Sequence, residues 1–197
     1  HAYELLNRQE VNNLLANLRK TNEAIVNDTV PAIVSIGSLQ KILCNLLREG
    51  IPIRDTETIL ETLADYGATV KDIDMLTEYV RQSLRRTITH RFAEAGQLKV
   101  ISLDANIENQ IMGAVKKVES GSYLALDPQT IQNIITATTR EIDKIKDLVQ
   151  VPIILTSPIV RVYFKKLVDQ FYLNTVVLSF SEIDSDAKIQ ALGNITI

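Results

Sequence analysis

Apolar residues recur at three- and four-residue steps through residues 7–91, as at Leu14, Leu15 and Leu18, and this spacing predicts one helix after another. Polar punctuation divides the run. Asn7, with Glu10 three positions on, makes a capping-box-like start for the first helix. A short second helix follows Asn22 and stops before Pro31. The third covers residues 38–49 and buries Leu39, Ile42, Leu43, Leu46 and Leu47, with Cys44 beside them. Gly50 suits the left-handed residue that closes a helix, Pro52 forbids continuation, and Asp55 caps the fourth helix. That helix buries Ile59, Leu60 and Leu63 and ends at Gly67, and a fifth opens at Asp72 with Leu76, Tyr79, Val80, Leu84 and Ile88 on its apolar face. Five helices on short links predict a compact bundle or superhelical stack.

The period changes at residues 93–97, where Gly96 supplies a turn. Residues 98–103 read as a strand centred on Val100 and Ile101, followed by a helix capped by Asp104 that reaches residue 118. Gly121 and Ser122 mark a loop. Asp127 with Pro128, a cap followed by a first-turn proline, opens a long helix to residue 148. Residues 152–156 read as a strand, Ser157 with Pro158 starts a helix to residue 171, and residues 175–180 and 189–197 supply two further strands. Strands separated by helices predict a small open α/β sheet. The predicted fold class is therefore α plus α/β, with a helical subdomain at residues 1–95 and a small α/β subdomain at residues 96–197.

Composition narrows the function. The chain has 197 residues, 46% of them apolar, enough for proper cores. A net charge of −3 excludes a general polyanion binder, which carries a basic excess. Cys44 is the one cysteine, so there is no disulfide framework and the chain suits a reducing compartment. No apolar run approaches the roughly 20 residues that cross a bilayer, so the chain reads as soluble. It starts inside helix-like sequence without Met, and reads as a piece of something longer.

Each candidate for chemistry has a structural alternative. Asp104 stands at a strand end, where a doubly wound fold places reactive carboxylates, but no second acid follows closely and Asp is a favoured cap. Thr156 and Ser157 could offer a hydroxyl and free helix amides to an anion, yet no glycine-rich loop or P-loop lysine accompanies them. Arg81, Arg85, Arg86 and Arg91 gather near His90 at a helix end, where cations complement the dipole. The sharper reading, a nucleic-acid or acidic-partner patch, lacks interleaved aromatics. Arg54 beside Ile53 has no local duty and suits bridging between elements or subunits. Tyr163, Phe164, Phe171 and Tyr172 surround one helix; most read as core, with Tyr172 available for docking. No catalytic, cofactor-binding or metal-ligating residues are predicted. Ile53, Arg54, Arg81, Arg85 and Tyr172 are the candidate partner or ring-interface residues.

Several stretches in order carry a resemblance: YELLNRQEV at residues 3–11, LLREGIPIRDTETILETLADY at 46–66, LTEYVR at 76–81 with RTIT at 86–89, Ser157-Pro158 with Arg161 and Phe164, and VLSFSEI at 177–183. Together they resemble the FHIPEP family, the large export-gate protein of bacterial flagellar and virulence type III secretion, although that family commonly has Thr or Ser where this chain has Asn7. The resemblance covers essentially the whole chain and implies the last two subdomains of the family's cytosolic part, at the cytoplasmic face of the inner membrane. Membrane attachment would come only through an N-terminal part missing here. Implied partners are export chaperone–cargo complexes, export ATPase complex components, a substrate-switch protein and a homo-oligomeric ring, with no cofactor and no nucleic acid. The flagellar version is favoured. The competing readings are a non-export α/β enzyme with a helical lid and a helical nucleic-acid-binding module.

Overall fold

Polar side chains set the helix starts of the first half, and the computed structural model, which describes residues 1–197, puts a hydrogen bond behind each. After one isolated turn, α1 (Ala2–Leu5), Asn7 accepts from the Glu10 amide at 2.9 Å and opens α2 (Arg8–Arg19). Asn22, Ser35, Asp55 and Asp72 act likewise for α3 (Glu23–Thr29), α4 (Ile36–Arg48), α5 (Thr56–Tyr66) and α6 (Ile73–Ser83). Each such cap satisfies an amide with no partner inside its helix, a contribution of about 1 kcal/mol. α4 starts earlier than expected because Ser35, not Ser38, is the cap. The expected fifth helix is interrupted at Leu84, and α7 (Arg85–Phe92) follows.

Two compact units result, His1–Ile88 and Thr89–Ile197. In the first, the apolar faces of α2, α4, α5 and α6 bury Leu15, Leu39, Ile42, Leu46, Ile59, Leu60, Leu63 and Val80. Each such side chain contributes roughly 1.5–3 kcal/mol. The turn out of α4 is a Schellman motif: Gly50, at φ 75°, donates to Leu47 O at 3.0 Å, and Ile51 donates to Leu46 O at 3.0 Å. Gly67 ends α5 for a different reason. Its φ of −66° is ordinary, but a Cβ there would lie 2.6 Å from Leu63 O and 2.7 Å from Ile33 Cγ2, so only glycine fits.

The second unit is built on a four-stranded parallel sheet. Its elements are β1 (Gln97–Leu103), α8 (Ala105–Gly113), β2 (Val115–Val118), β3 (Gly121–Leu124), α9 (Pro128–Ile145), β4 (Ile153–Thr156), α10 (Pro158–Gln170), β5 (Val176–Ser179), a 3-10 turn (Phe180–Glu182) and β6 (Lys188–Ile195). The sheet order is β5-β4-β1-β6, and β2 pairs with β3 in a separate antiparallel hairpin. Ile101 aligns with Ile154 and Leu103 with Ile195, so the strand centres pool their branched side chains with Ile107, Ile134 and Phe164 in one core. A tight turn with Ala95 and Gly96 both at positive φ leads into β1, closed by reciprocal Glu94 and Gln97 backbone bonds of 2.9 and 3.0 Å.

Three boundaries differ from expectation. The helix capped by Asp104 stops at Gly113, and residues 115–124 form the hairpin instead. Val115 and Val118 satisfy a helical i, i+3 spacing, but in the strand they fall on opposite faces and Val118 is exposed. The strand expected over residues 175–180 gives way to the 3-10 turn at Phe180. Finally, the units divide between Ile88 and Thr89, not at residues 95/96. Thr89 explains the shift: its hydroxyl accepts from the Asp184 amide at 2.8 Å and donates to Glu182 O at 3.4 Å, which ties it to the second unit.

Both units bury an arginine against a carboxylate that ends an element. Arg81, 1% exposed, lies with Nη1 3.5 Å from Oε2 of Glu49, the residue at the end of α4. Arg161, also 1% exposed, donates from Nη1 to Val177 O at 3.0 Å and places Nε 3.8 Å from Glu182 Oε1. The other Glu182 oxygen accepts from the Ser179 amide and hydroxyl, each at 3.3 Å.

Two outcomes are expected. Glu182→Leu strands a buried cation and destabilises the second unit by about 3–5 kcal/mol, whereas adding Arg161→Met recovers much of that loss; urea denaturation of the single and double variants measures it. Asp127 caps α9, and its carboxyl titrates below the usual value because the Thr130 side chain, 2.6 Å away, and the Thr130 amide bind the charged form. A depressed folded pKa contributes stability that is complete above the unfolded value of about 3.9 and is lost as pH falls through the folded one. Asp127→Asn keeps an acceptor but cannot titrate, so the advantage of the native chain over this variant in thermal melts shrinks as pH drops below about 4.

Candidate docking surface

The positions where an enzyme of this architecture would place its chemistry are occupied by structural bonds. Asp104, after β1, accepts from the Asn106 amide at 3.2 Å and caps α8. At the N-terminus of α10, the Ser157 amide donates to Glu108 Oε2 at 3.1 Å, so the end of the helix that would attract a phosphate already holds a carboxylate from α8. Thr156 turns its hydroxyl onto Ser157 O at 3.0 Å. No three His, Cys, Asp or Glu side chains are placed to hold a metal ion, and His90 is exposed on α7.

The five candidate interface residues do not form one cluster. Ile53, half-buried, and Arg54, exposed, follow the α4 turn on the way into α5. Arg81 is not at the surface at all. It falls on the buried face of α6 with Leu76, Thr77 and Val80, where the Glu49 carboxylate neutralises it, so its role is to hold the corner that presents Ile53 and Arg54. Its loss from the surface also removes one cation from the basic patch considered above. Arg85 is exposed at the start of α7.

Tyr172 belongs to the second unit and is 94% exposed. It occupies the left-handed position of a second Schellman motif, closing α10, with φ +57°; its amide donates to Asp169 O at 3.1 Å and that of Leu173 to Val168 O at 3.1 Å. Gly50 fills the same position after α4 without penalty. An aromatic L-residue there costs roughly 1–2 kcal/mol, and no packing within the chain offsets it. Backbone strain held at an exposed aromatic keeps Tyr172 a candidate interface residue.

Sequence reasoning missed two other exposed apolar residues of this unit. Ile159, 66% exposed, follows β4, and Phe180, 56% exposed, follows β5. Those strands are adjacent, with Thr156 aligned to Ser179, so both side chains lie beyond the C-terminal ends of neighbouring strands. A signal for Phe180 was present in Ser179-Phe180-Ser181-Glu182, whose Ser and Glu have capping-box spacing. Glu182 reaches back to Ser179 and turns the chain so that Phe180 faces solvent.

Comparison with known proteins identifies the family. The FHIPEP family profile matches residues 1–188. FlhA, the flagellar biosynthesis protein of Bacillus subtilis, is 37% identical over the whole of this chain, which spans 29% of that protein's length. The solved structure of Chlamydia pneumoniae CdsV superposes with a TM-score of 0.87 at 33% identity, covering 99% of this chain and 56% of that one, and the same protein has been solved in complex with CdsO. The nonameric EPEC SctV-C superposes at 0.84 with 30% identity, covering 98% of this chain and 58% of that one. A profile match across nearly all of the sequence, with the backbone shared by solved relatives, makes this chain a member of the FHIPEP family, whose proteins are secretion export components and not enzymes.

Proposed function

We propose that this chain is a docking platform in the cytosolic part of a bacterial flagellar export gate. It engages export chaperone–cargo complexes, export ATPase complex components and a substrate-switch protein at the cytoplasmic face of the inner membrane, and contributes to a homo-oligomeric ring. The observation that carries this reading is the likeness over the whole chain to FlhA together with that to CdsV, a protein solved bound to CdsO. The nonameric state of SctV-C supports the ring, and the 37% identity to FlhA, against 33% to CdsV and 30% to SctV-C, supports the flagellar system. No helix is long and apolar enough to cross a membrane.

Tyr172, Phe180 and Ile159 supply the apolar anchors such a platform needs, and Ile53 with Arg54 supplies a corner in the other unit. The enzyme reading loses its two sites to Asp104 capping and to Glu108 on the α10 terminus. The nucleic-acid reading loses Arg81 to the core.

The test uses the full-length gate protein. Tyr172→Gly relieves the left-handed strain and raises the stability of the second unit by about 1 kcal/mol, while weakening binding to the export ATPase complex by about tenfold in calorimetry and reducing motility. If Tyr172→Gly, Phe180→Ser and Arg54→Ala combined leave binding and export at native levels, the docking reading is wrong.

A further inference from the structure

The two edges of the parallel sheet are finished differently. Val176 donates to Pro152 O at 2.9 Å and so faces β4, which turns the backbone groups of Thr175, Val177 and Ser179 outward at the β5 edge. Side chains engage all three. Thr175 O accepts from Lys165 Nζ at 3.0 Å, Val177 O accepts from Arg161 Nη1 at 3.0 Å, and the Ser179 amide donates to Glu182 Oε2 at 3.3 Å. The β6 edge has no such cover. Lys188 donates to Gly96 O at 3.1 Å and Ile195 O accepts from the Asp104 amide at 3.0 Å, so both residues face β1. Alternation from each end, with Leu192 as the extra residue where the register shifts, turns Ile189, Ala191 and Asn194 outward. All three are exposed, and nothing in the chain bonds their backbone groups. Cover resumes only past the strand, where Arg140 Nη2 donates to Thr196 O at 3.3 Å. Natural edges are also blunted by charge or proline, yet residues 189–197 contain neither.

Hydrogen-bonding geometry defines the occupant. A row of outward amides and carbonyls on an extended strand is complementary to another extended backbone, whereas a helix has spent its own backbone groups internally. A second copy of this chain does not fit. Pairing β6 with β6 is a two-fold contact, which cannot propagate round a cyclic ring such as that of nonameric SctV-C, and pairing β6 with the β5 edge of a neighbour is blocked by Lys165 and Arg161. Side chains add a preference. Ile189 aligns with Leu98 and Ala191 with Val100, so an apolar row that is buried on β1 runs out to the exposed edge. We propose that the β6 edge accepts an extended segment of a partner protein as a fifth strand, paired to Ile189 and Ala191, with uncharged β-branched side chains continuing that row. The irregularity at Leu192 ends the ladder and confines the pairing to a short, releasable stretch. The proposal rests on the docking reading to the extent that the ring excludes a two-fold partner.

A labelled synthetic peptide of alternating Val and Thr with a terminal Lys, followed by anisotropy and by amide hydrogen exchange of the whole chain, tests this. The peptide binds saturably. At saturation the Ile189 and Ala191 amides exchange at least about tenfold more slowly, while that of Gln190, which already faces β1, is unchanged. Ala191→Pro removes an outward N–H that no bond within the chain uses, so the melting curve is kept and binding falls at least about tenfold. Ile189→Lys, a charge at an exposed edge position, has the same effect without altering the backbone. In the full-length gate protein both variants reduce export. The inference is overturned by no saturable binding up to millimolar peptide, by equal binding of a peptide N-methylated at alternate residues, or by native binding or native export in both variants. Concentration-dependent dimerisation that Ile189→Lys abolishes also overturns it, because the edge then belongs to a second copy. Any of these results alongside lost export in the combined Tyr172, Phe180 and Arg54 variant removes the open edge and leaves the platform standing. Slowed exchange at Ile189 and Ala191 alongside native binding and export in that combined variant removes the docking reading instead.

Discussion

A buried guanidinium beside the carboxylate that terminates an element is the constraint on which each unit depends. Removing two charges from water costs several kcal/mol per ion, and mutual attraction offsets this only when the remaining hydrogen-bonding capacity is met. Arg161 meets the condition by also binding the Val177 carbonyl, and Glu182 by accepting from Ser179. An ion pair so placed contributes less to net stability than to definition, because displaced arrangements leave a charge stranded. Arg81 with Glu49 fixes where α4 stops relative to α6. Arg161 with Glu182 fixes where β5 stops relative to α10. In both cases the chain beyond the fixed end is a corner at the surface, carrying Ile53 and Arg54 in one unit and Phe180 in the other. Rigid presentation of such residues lowers the ordering cost of binding.

The ends of α4 and α10 show what this arrangement tolerates. Both close by the same pair of backbone bonds, one through Gly50 and the other through Tyr172. Local physics prefers glycine at each. The buried side of α10, with Val160, Arg161, Phe164, Leu167 and Val168, is secure enough to hold its last turn in place despite the strained residue beyond it. The helix can therefore carry a large exposed ring where the backbone alone would choose none.

Much of the fold was legible because its signals are local. Asn7, Asp55, Asp72, Asp104 and Asp127 act within three residues, and Gly50 with Pro52 marks its corner without help from tertiary structure. The parallel strands were readable as apolar runs between helical periods. What escaped depends on distant partners or on ambiguous short runs. Nothing near Arg81 in sequence reveals that Glu49 neutralises it, and the Thr89 bonds that set the unit boundary reach to residues 182 and 184. Val115-Lys116-Lys117-Val118 fits a helix turn and a hairpin strand equally, and only the partner strand decides. Of the candidate site, Arg54, Arg85 and Tyr172 lie at the surface, Ile53 is half-buried and Arg81 is buried, while Phe180 and Ile159 were overlooked because they fall in runs read as a strand and a helix.

Glu108 gives the sheet its clearest commitment. The crevice at the carboxyl ends of parallel strands, beneath a helix N-terminus, is where this architecture elsewhere captures phosphorylated ligands. Here the Ser157 amide is engaged by a carboxylate tethered to the same molecule. A free phosphate would compete against an internal rival whose effective concentration is on the order of millimolar or higher. A phosphate therefore reaches the Ser157 amide only by displacing the Glu108 carboxylate.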